Sequence, residues 1–196
     1  MDFWELVSKV YPKNKVILID GNDDQDVLSL CDDYPYFKRE LIDLEPAQKN
    51  VFPISLSIPT CKVTKDKNYN KQKYYGTCNP FDRSTYVFTN EVDYYKDYNV
   101  SLFGITSKKA GWDCLRHYEI LANHCMPMFV DINHCPKNTM TEFPKTLCQS
   151  AFKWMDPTKL NLGEYYQTLD RMFGVLEAKL TTSAVASKFL NTIYEL

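Results

Sequence analysis

The stretch from residue 101 to residue 131, SLFGITSKKAGWDCLRHYEILANHCMPMFVD, limits the fold more than any other part of the sequence. Its two ends are short apolar runs typical of buried strands, and apolar residues recur at helical spacing over 112–125 between them. The upstream runs KVILID, YFKRELI and VFPISLSI also predict strands. Strands that alternate with helices predict an α/β fold, Rossmann-like, with a mainly parallel sheet and helices on both faces.

The length of the chain, 196 residues, suits one hydrophobic core, so we expect a single α/β domain over residues 1–196. Hydrophobic residues make up 44% of the sequence and charged residues 24%, which is typical of a globular protein. C-terminal helices are expected from about residue 141, near 141–155, 158–180 and 182–195.

The segments between the predicted strands are less regular. Residues 23–34 can form a helix, and residues 59–82 lack periodicity and predict a long surface loop. Residues 84–89 predict a further strand, and residues 90–99 predict a helix.

Composition excludes several function classes. A net charge of −2 and a pI near 5.9 provide no basic footprint, so we expect no nucleic-acid partner. The N-terminal residues resemble neither a signal peptide nor a membrane span, so we expect a cytoplasmic protein without membrane contact. The seven cysteines contain no CxxC pair, and the aspartates of LIDGNDDQD suit a solvated cap better than an ion site. The sequence therefore predicts no metal and no cofactor.

A helical wheel over residues 112–125 separates two faces. The stripe expected to face the sheet contains Cys114, Leu115, Tyr118, Leu121, Ala122 and Cys125. The opposite stripe contains Trp112, Arg116, Glu119 and Asn123, which places Arg116 and Glu119 about one turn apart on one side. Two interpretations follow: a surface ion pair of little energetic weight, or two side chains that act together on a ligand.

The turn before this helix has the features of an anion site. Thr106 or Ser107 can cap the helix, Gly111 allows close approach of the backbone, and the free N–H groups of the first turn favour anions. Three side chains add positive charge: Lys108, Lys109 and Arg116. A diphosphate could be held by the turn and the arginine, while Glu119 could accept hydrogen bonds from a ribose diol.

The pattern R..E.LA..C.P.F, which begins at Arg116, resembles the donor-binding segment of exostosin-like glycosyltransferases, members of the GT-B class. The matching positions are Ser107, Arg116, Glu119, Ala122, Cys125 and Pro127. In that family the arginine serves the diphosphate and the glutamate serves the ribose, so the resemblance implies these roles for Arg116 and Glu119. His124 stands where the family favours glycine, and its side chain could crowd the pocket or contact the sugar.

The resemblance covers about residues 36–145 and adds Lys38 and Arg39 as weaker phosphate candidates. It implies a protein that binds a nucleotide-sugar donor of the UDP or GDP type and transfers the sugar to a carbohydrate or other hydroxyl acceptor. The catalytic base is not identifiable from the sequence. Because a GT-B cleft lies between two Rossmann-like domains, the acceptor half is expected from a second copy in a homo-oligomer or from a partner domain, or is absent.

Two other functions stay open at this stage. One is a non-catalytic module that binds a nucleotide or a sugar nucleotide. The other is an α/β protein-interaction domain whose charged helix face binds a partner protein.

Overall fold

The structure is a computed structural model that describes residues 3–42 and 49–196. Its strands form two three-stranded sheets, and the named strand pairs all run parallel. The first sheet contains, in order, β1 (Leu18–Asp20), β2 (Tyr36–Lys38) and β3 (Val51–Pro53). The second contains β4 (Lys73–Tyr75), β5 (Ser101–Thr106) and β6 (Met126–Phe129). The predicted α/β class with parallel strands is confirmed.

Six α-helices lie in the described part of the chain: α1 (Phe3–Val10), α2 (Glu91–Asn99), α3 (Leu115–Ala122), α4 (Lys145–Ser150), α5 (Leu162–Val175) and α6 (Thr182–Tyr194). A π-helical turn over Leu176–Leu180 joins the last two. Three helices are capped by a side chain that accepts a backbone N–H from the first turn: Asn90, Asn161 and Thr181. Within the two described ranges, we find no helix with the length and apolarity needed to cross a membrane.

The second sheet forms the main core because helices cover both of its faces. Phe103 of β5 packs against Tyr165 of α5 with ring centroids 5.3 Å apart. The next residue, Gly104, points to the opposite face. A Cβ atom there would lie 2.7 Å from Ile120 of α3, so this glycine allows the helix to sit directly on the strand.

A buried cluster joins the two sheets, and we call it the junction: Arg39, Glu40, Gly111, Trp112 and Asp113. Glu40 is 1% exposed, and its carboxylate accepts the N–H groups of Trp112 and Asp113 at 2.8 Å each. A Cβ atom on Gly111 would lie 2.5 Å from Glu40 Oε1. The expected close approach at this glycine is therefore made by a glutamate of the same chain.

Asp113 completes the junction from the side of α3. Its carboxylate accepts the Leu56 N–H at 2.5 Å and the Tyr118 hydroxyl at 2.6 Å. The Arg39 guanidinium donates to the Asp113 carbonyl, also at 2.5 Å. Burial is the main cause that raises the pKa of Asp113 to about 6.

Several predicted elements have other conformations. Residues 23–34 contain only a short 3-10 turn, Ser29–Asp32, and residues 59–82 contain the edge strand β4. Residues 84–89 are not a strand, because Asp82 accepts hydrogen bonds from the backbone and the hydroxyl of Ser84 and starts a 3-10 turn.

Helix α3 is shorter than predicted and is buried on more than one side. Tyr118, Leu121 and Ala122 face the core as expected, but Leu115 is 41% exposed. His117 and Ile120 are fully buried instead, because neighbouring elements pack on both sides of the helix. Trp112 and Asn123, expected on the outer stripe, are buried as well.

Candidate functional site

Arg116 and Glu119 line one cavity of about 430 Å³ beside α3. Its other wall is the segment that leads from the 3-10 turn Arg83–Thr85 into α2. Nine residues line it: Cys78, Tyr86, Phe88, Thr89, Asn90, Glu91, Tyr94, Arg116 and Glu119. The size and the mixture of aromatic and polar side chains are typical of small-molecule sites.

Arg116 is the single cation among the described residues that line this cavity. Its guanidinium lies over the Tyr86 ring, 5.2 Å from the ring centroid. The Nη1 atom is buried and has no hydrogen-bond partner among the described residues. Arg116 also forms no ion pair with Glu119 or any other described carboxylate, so the two are not the simple surface pair that their spacing allowed.

Glu119 is held by hydroxyl groups of α2. Tyr95 donates to Oε1 at 3.1 Å and Tyr94 donates to Oε2 at 3.4 Å. Burial, together with the nearby Glu119 charge, raises the pKa of Tyr94 to about 12, which keeps this hydroxyl protonated. Each carboxylate oxygen has a second lone pair, so Glu119 can accept further hydrogen bonds from a ligand.

A second cavity of about 420 Å³ adjoins the first and shares Tyr86 and Arg116 with it. Arg83 and Lys109 are its other lining residues, so three of the four are cations. Lys109 Nζ donates to the Pro80 carbonyl at 3.1 Å, whereas the Arg83 side chain contacts no hydrogen-bond or ion-pair partner in the described ranges. We call the two together the paired cavities; one has aromatic rings and carboxylates, and the other is cationic.

The other predicted residues of the turn lie outside the paired cavities. The Ser107 hydroxyl is buried and donates to the Lys108 carbonyl at 3.2 Å. The Lys108 backbone N–H donates to the Asp131 carboxylate, and its ammonium lies 5.5 Å from the centroid of the Trp112 ring.

Two backbone N–H groups of the turn before α3 are already occupied. Those of Trp112 and Asp113 donate to Glu40 in the junction. Neither Thr106 nor Ser107 caps α3, because the helix begins at Leu115 and the Thr106 hydroxyl contacts His117 Nδ1 at 2.8 Å. The turn therefore offers an anion fewer free N–H groups than the sequence predicts.

Lys38 and Arg39 also lie outside the paired cavities, and their charges are neutralised. Lys38 is fully buried and contacts Asp20 at 3.0 Å and Asp24 at 2.9 Å. Arg39 contacts Asp23 and donates to the Gly21 carbonyl at 2.9 Å. These two cations therefore do not contribute free positive charge to the paired cavities.

Lys38 and Arg39 therefore pair with Asp20, the last residue of β1, and with Asp23 and Asp24 in the loop that follows it. In the part of the chain that the structure describes, no group of three or more histidine, cysteine or acidic side chains is placed to hold a metal ion.

His117 lies within α3 and His124 follows its C-terminal end, and both pack against other residues of the fold. His117 is fully buried, and burial lowers its pKa to about 4, so it is neutral. His124 has a positive φ of 51°, which explains why glycine suits this position. Its ring packs against Tyr69 and Phe173, away from the paired cavities. His124 therefore does not line the paired cavities.

The cavity wall opposite α3 was not predicted from the sequence. Eight lining residues of the paired cavities were not among the predicted site residues: Cys78, Arg83, Tyr86, Phe88, Thr89, Asn90, Glu91 and Tyr94. The signal that could have found them is the run YVFTNE, in which aromatic residues directly precede the Asn90 cap of α2. An aromatic segment fixed to a helix start can form a rigid wall for a ligand.

Comparisons of the chain with protein-family models, with curated proteins and with solved structures found no significant match.

Proposed function

We propose that the chain binds a nucleotide-sugar donor in the paired cavities and serves transfer of the sugar to a hydroxyl acceptor. The observation that carries this proposal is the buried, unpaired Nη1 atom of Arg116 at the boundary of the two cavities. A buried polar group without a partner costs about 1–3 kcal/mol, and an anionic ligand would remove that cost. The planar fork of an arginine matches phosphate oxygens in particular.

The order of charges along the paired cavities fits the parts of a nucleotide. The cationic cavity, with Arg83, Lys109 and Arg116, suits a diphosphate. Glu119 lies in the other cavity and suits the hydroxyl groups of a ribose, while aromatic rings there offer stacking surfaces. The resemblance to exostosin-like glycosyltransferases implies the same two roles for Arg116 and Glu119.

Transfer of the sugar would use the same cations. In such reactions the protein mainly positions the donor and stabilises the charge on the departing diphosphate. With the diphosphate in the second cavity, its three cations would stabilise that charge.

One observation favours binding without catalysis as a second candidate function. The described lining residues of the paired cavities include no histidine, and both carboxylates are engaged. Glu119 accepts from two tyrosines and Glu91 pairs with Lys62. A base for the acceptor hydroxyl would then come from a second copy of the chain or from a partner domain. Release of nucleoside diphosphate from UDP- or GDP-linked sugars, measured with and without carbohydrate acceptors, distinguishes transfer from binding alone.

Calorimetric titration with UDP and GDP tests the proposed site. We expect Arg116→Ala to weaken binding about ten- to a hundredfold, because a charge-assisted hydrogen bond contributes roughly 1.5–3 kcal/mol. Lys108→Ala is the matched control, since it removes a nearby positive charge that does not line the paired cavities. Equal losses in both variants would remove the special role of Arg116. No heat at millimolar nucleotide from folded protein would instead favour the protein-interaction function.

A further inference from the structure

The charges of the proposed site would fix the orientation of a bound nucleotide along the paired cavities. Its cationic end contains Arg83 and Lys109, and Glu91, the first residue of α2, lines the aromatic cavity. Glu119 accepts from Tyr95, which lies four residues beyond Glu91, or about 6 Å along the axis of α2. A nucleotide with its diphosphate on the arginines and its ribose on Glu119 would therefore direct its base toward Glu91.

The end of the cavity at Glu91 offers hydrogen-bond acceptors. Lys62 contacts Oε1 of Glu91, and this hydrogen bond lowers the pKa of the glutamate. The side chain is 50% exposed, and the Tyr95 hydroxyl is a second neighbour that lowers the pKa of this carboxylate. Each carboxylate oxygen can accept more than one hydrogen bond, so a ligand can still donate to Glu91. An ionised carboxylate only accepts hydrogen bonds, so it recognises donors on a base.

The side-chain amide of the neighbouring Asn90 could recognise carbonyl groups of a base, but it is hydrogen-bonded to Asp93. Asn90 Oδ1 accepts the Asp93 N–H at 2.9 Å, and Asn90 Nδ2 donates to the Asp93 carboxylate at 2.8 Å. Both halves of the amide are thereby held in the cap of α2. This leaves the carboxylate of Glu91 as the charged group that faces the base.

We infer that Glu91 selects guanine, so that the ligand is GDP-linked rather than UDP-linked; this inference rests on the proposed function. Guanine presents two adjacent donors, N1–H and the 2-amino group, which match the two oxygens of a carboxylate. Uracil presents one N–H flanked by two carbonyl oxygens, which would face the carboxylate oxygens unfavourably. The rings of Phe88 and Tyr94 line the same cavity and provide apolar surface for a purine.

Titration of the protein with GDP, IDP and UDP tests this selection. IDP lacks only the 2-amino group of guanine, so it measures one of the two hydrogen bonds. We expect GDP to bind about tenfold more tightly than IDP. We expect GDP to bind at least about tenfold more tightly than UDP as well. Glu91→Gln should remove most of the preference for GDP, because the amide offers one acceptor and one donor in place of two acceptor oxygens. Glu177→Gln is the matched control, because it removes the same charge at an exposed position outside the paired cavities.

The outcomes separate this inference from the function on which it rests. UDP binding as tight as GDP binding, or an equal loss for all three nucleotides in Glu91→Gln, overturns guanine selection and leaves the donor site standing. Absence of binding by all three nucleotides to folded wild-type protein overturns the proposed function and the inference together.

Discussion

The junction and the paired cavities differ in whether their arginines have ion-pair partners among the described residues. In the junction and the adjoining loop, Arg39 contacts Asp23 and two backbone carbonyls, and Lys38 contacts two aspartates. In the cavities, Arg116 has a buried nitrogen without a partner and Arg83 has no ion pair with a described residue. Charges that are neutralised within the chain stabilise the fold. The charges at the cavities, which lack ion-pair partners among the described residues, are the basis of the proposed ligand site.

The largest expected effect is the loss of the junction carboxylate. Glu40→Ala would leave two buried N–H groups, those of Trp112 and Asp113, without an acceptor. We expect a loss of about 3 kcal/mol in the free energy of unfolding, measured by urea denaturation. Glu40→Gln retains one acceptor oxygen and should lose about half as much. A change below about 0.5 kcal/mol in Glu40→Ala would show that the junction does not stabilise the fold.

The junction should also make stability depend on pH through Asp113. Its pKa is raised from 3.8 to about 6, mainly by burial, so the folded state holds a proton that the unfolded state has released. The contribution of Asp113 to stability is therefore present below about pH 4 and is lost as the pH rises to about 6. This loss amounts to about 3 kcal/mol, at 1.36 kcal/mol for each unit of the shift.

Asp113→Asn isolates this contribution. We expect the variant to gain stability relative to wild type as the pH rises from 4 to about 6, in urea denaturation at each pH. Arg39, Glu40 and Tyr118 also act on Asp113, and they remain in both proteins. A stability difference that stays constant over this range would contradict the raised pKa.

A matched pair of arginine variants compares the two regions directly. Arg39→Ala removes contacts to Asp23, Gly21 and Asp113 and should cost about 2 kcal/mol of unfolding free energy. Arg83→Ala removes a side chain without such contacts and should cost less than about 0.5 kcal/mol. Thermal unfolding of both variants checks this order. Equal losses of unfolding free energy in the two variants would mean that the contacts of Arg39 do not stabilise the fold more than the Arg83 side chain does.

The strand–helix–strand unit around α3 was predictable because its signal is local. The apolar runs of β5 and β6 and the periodic residues between them lie in one short stretch. The positive φ of His124 was not predicted from the sequence.

The contacts between distant segments were not predictable. Nothing near Lys38 in the sequence shows that Asp20 and Asp24 fold back onto its ammonium group, so the lysine resembled a phosphate ligand. Likewise, the wall formed by residues 86–91 depends on the turn that Asp82 begins, and that turn competes with the strand that the apolar residues suggest. Pairings of this kind are decided by tertiary structure.

The most direct test of the central claim is the unfolding free energy of Arg116→Ala, measured without nucleotide and in parallel series with GDP and with UDP. Without nucleotide, the variant should lose no more than about 1 kcal/mol, because Nη1 of Arg116 has no hydrogen bond to lose among the described residues and the contact with the Tyr86 ring contributes about 0.5–1 kcal/mol. With nucleotide at about 100 times the dissociation constant of the wild type, wild type should gain about 2.7 kcal/mol and the variant much less. A variant that is markedly unstable without nucleotide, yet gains as much from nucleotide as wild type, would show that Arg116 supports the fold and not a ligand.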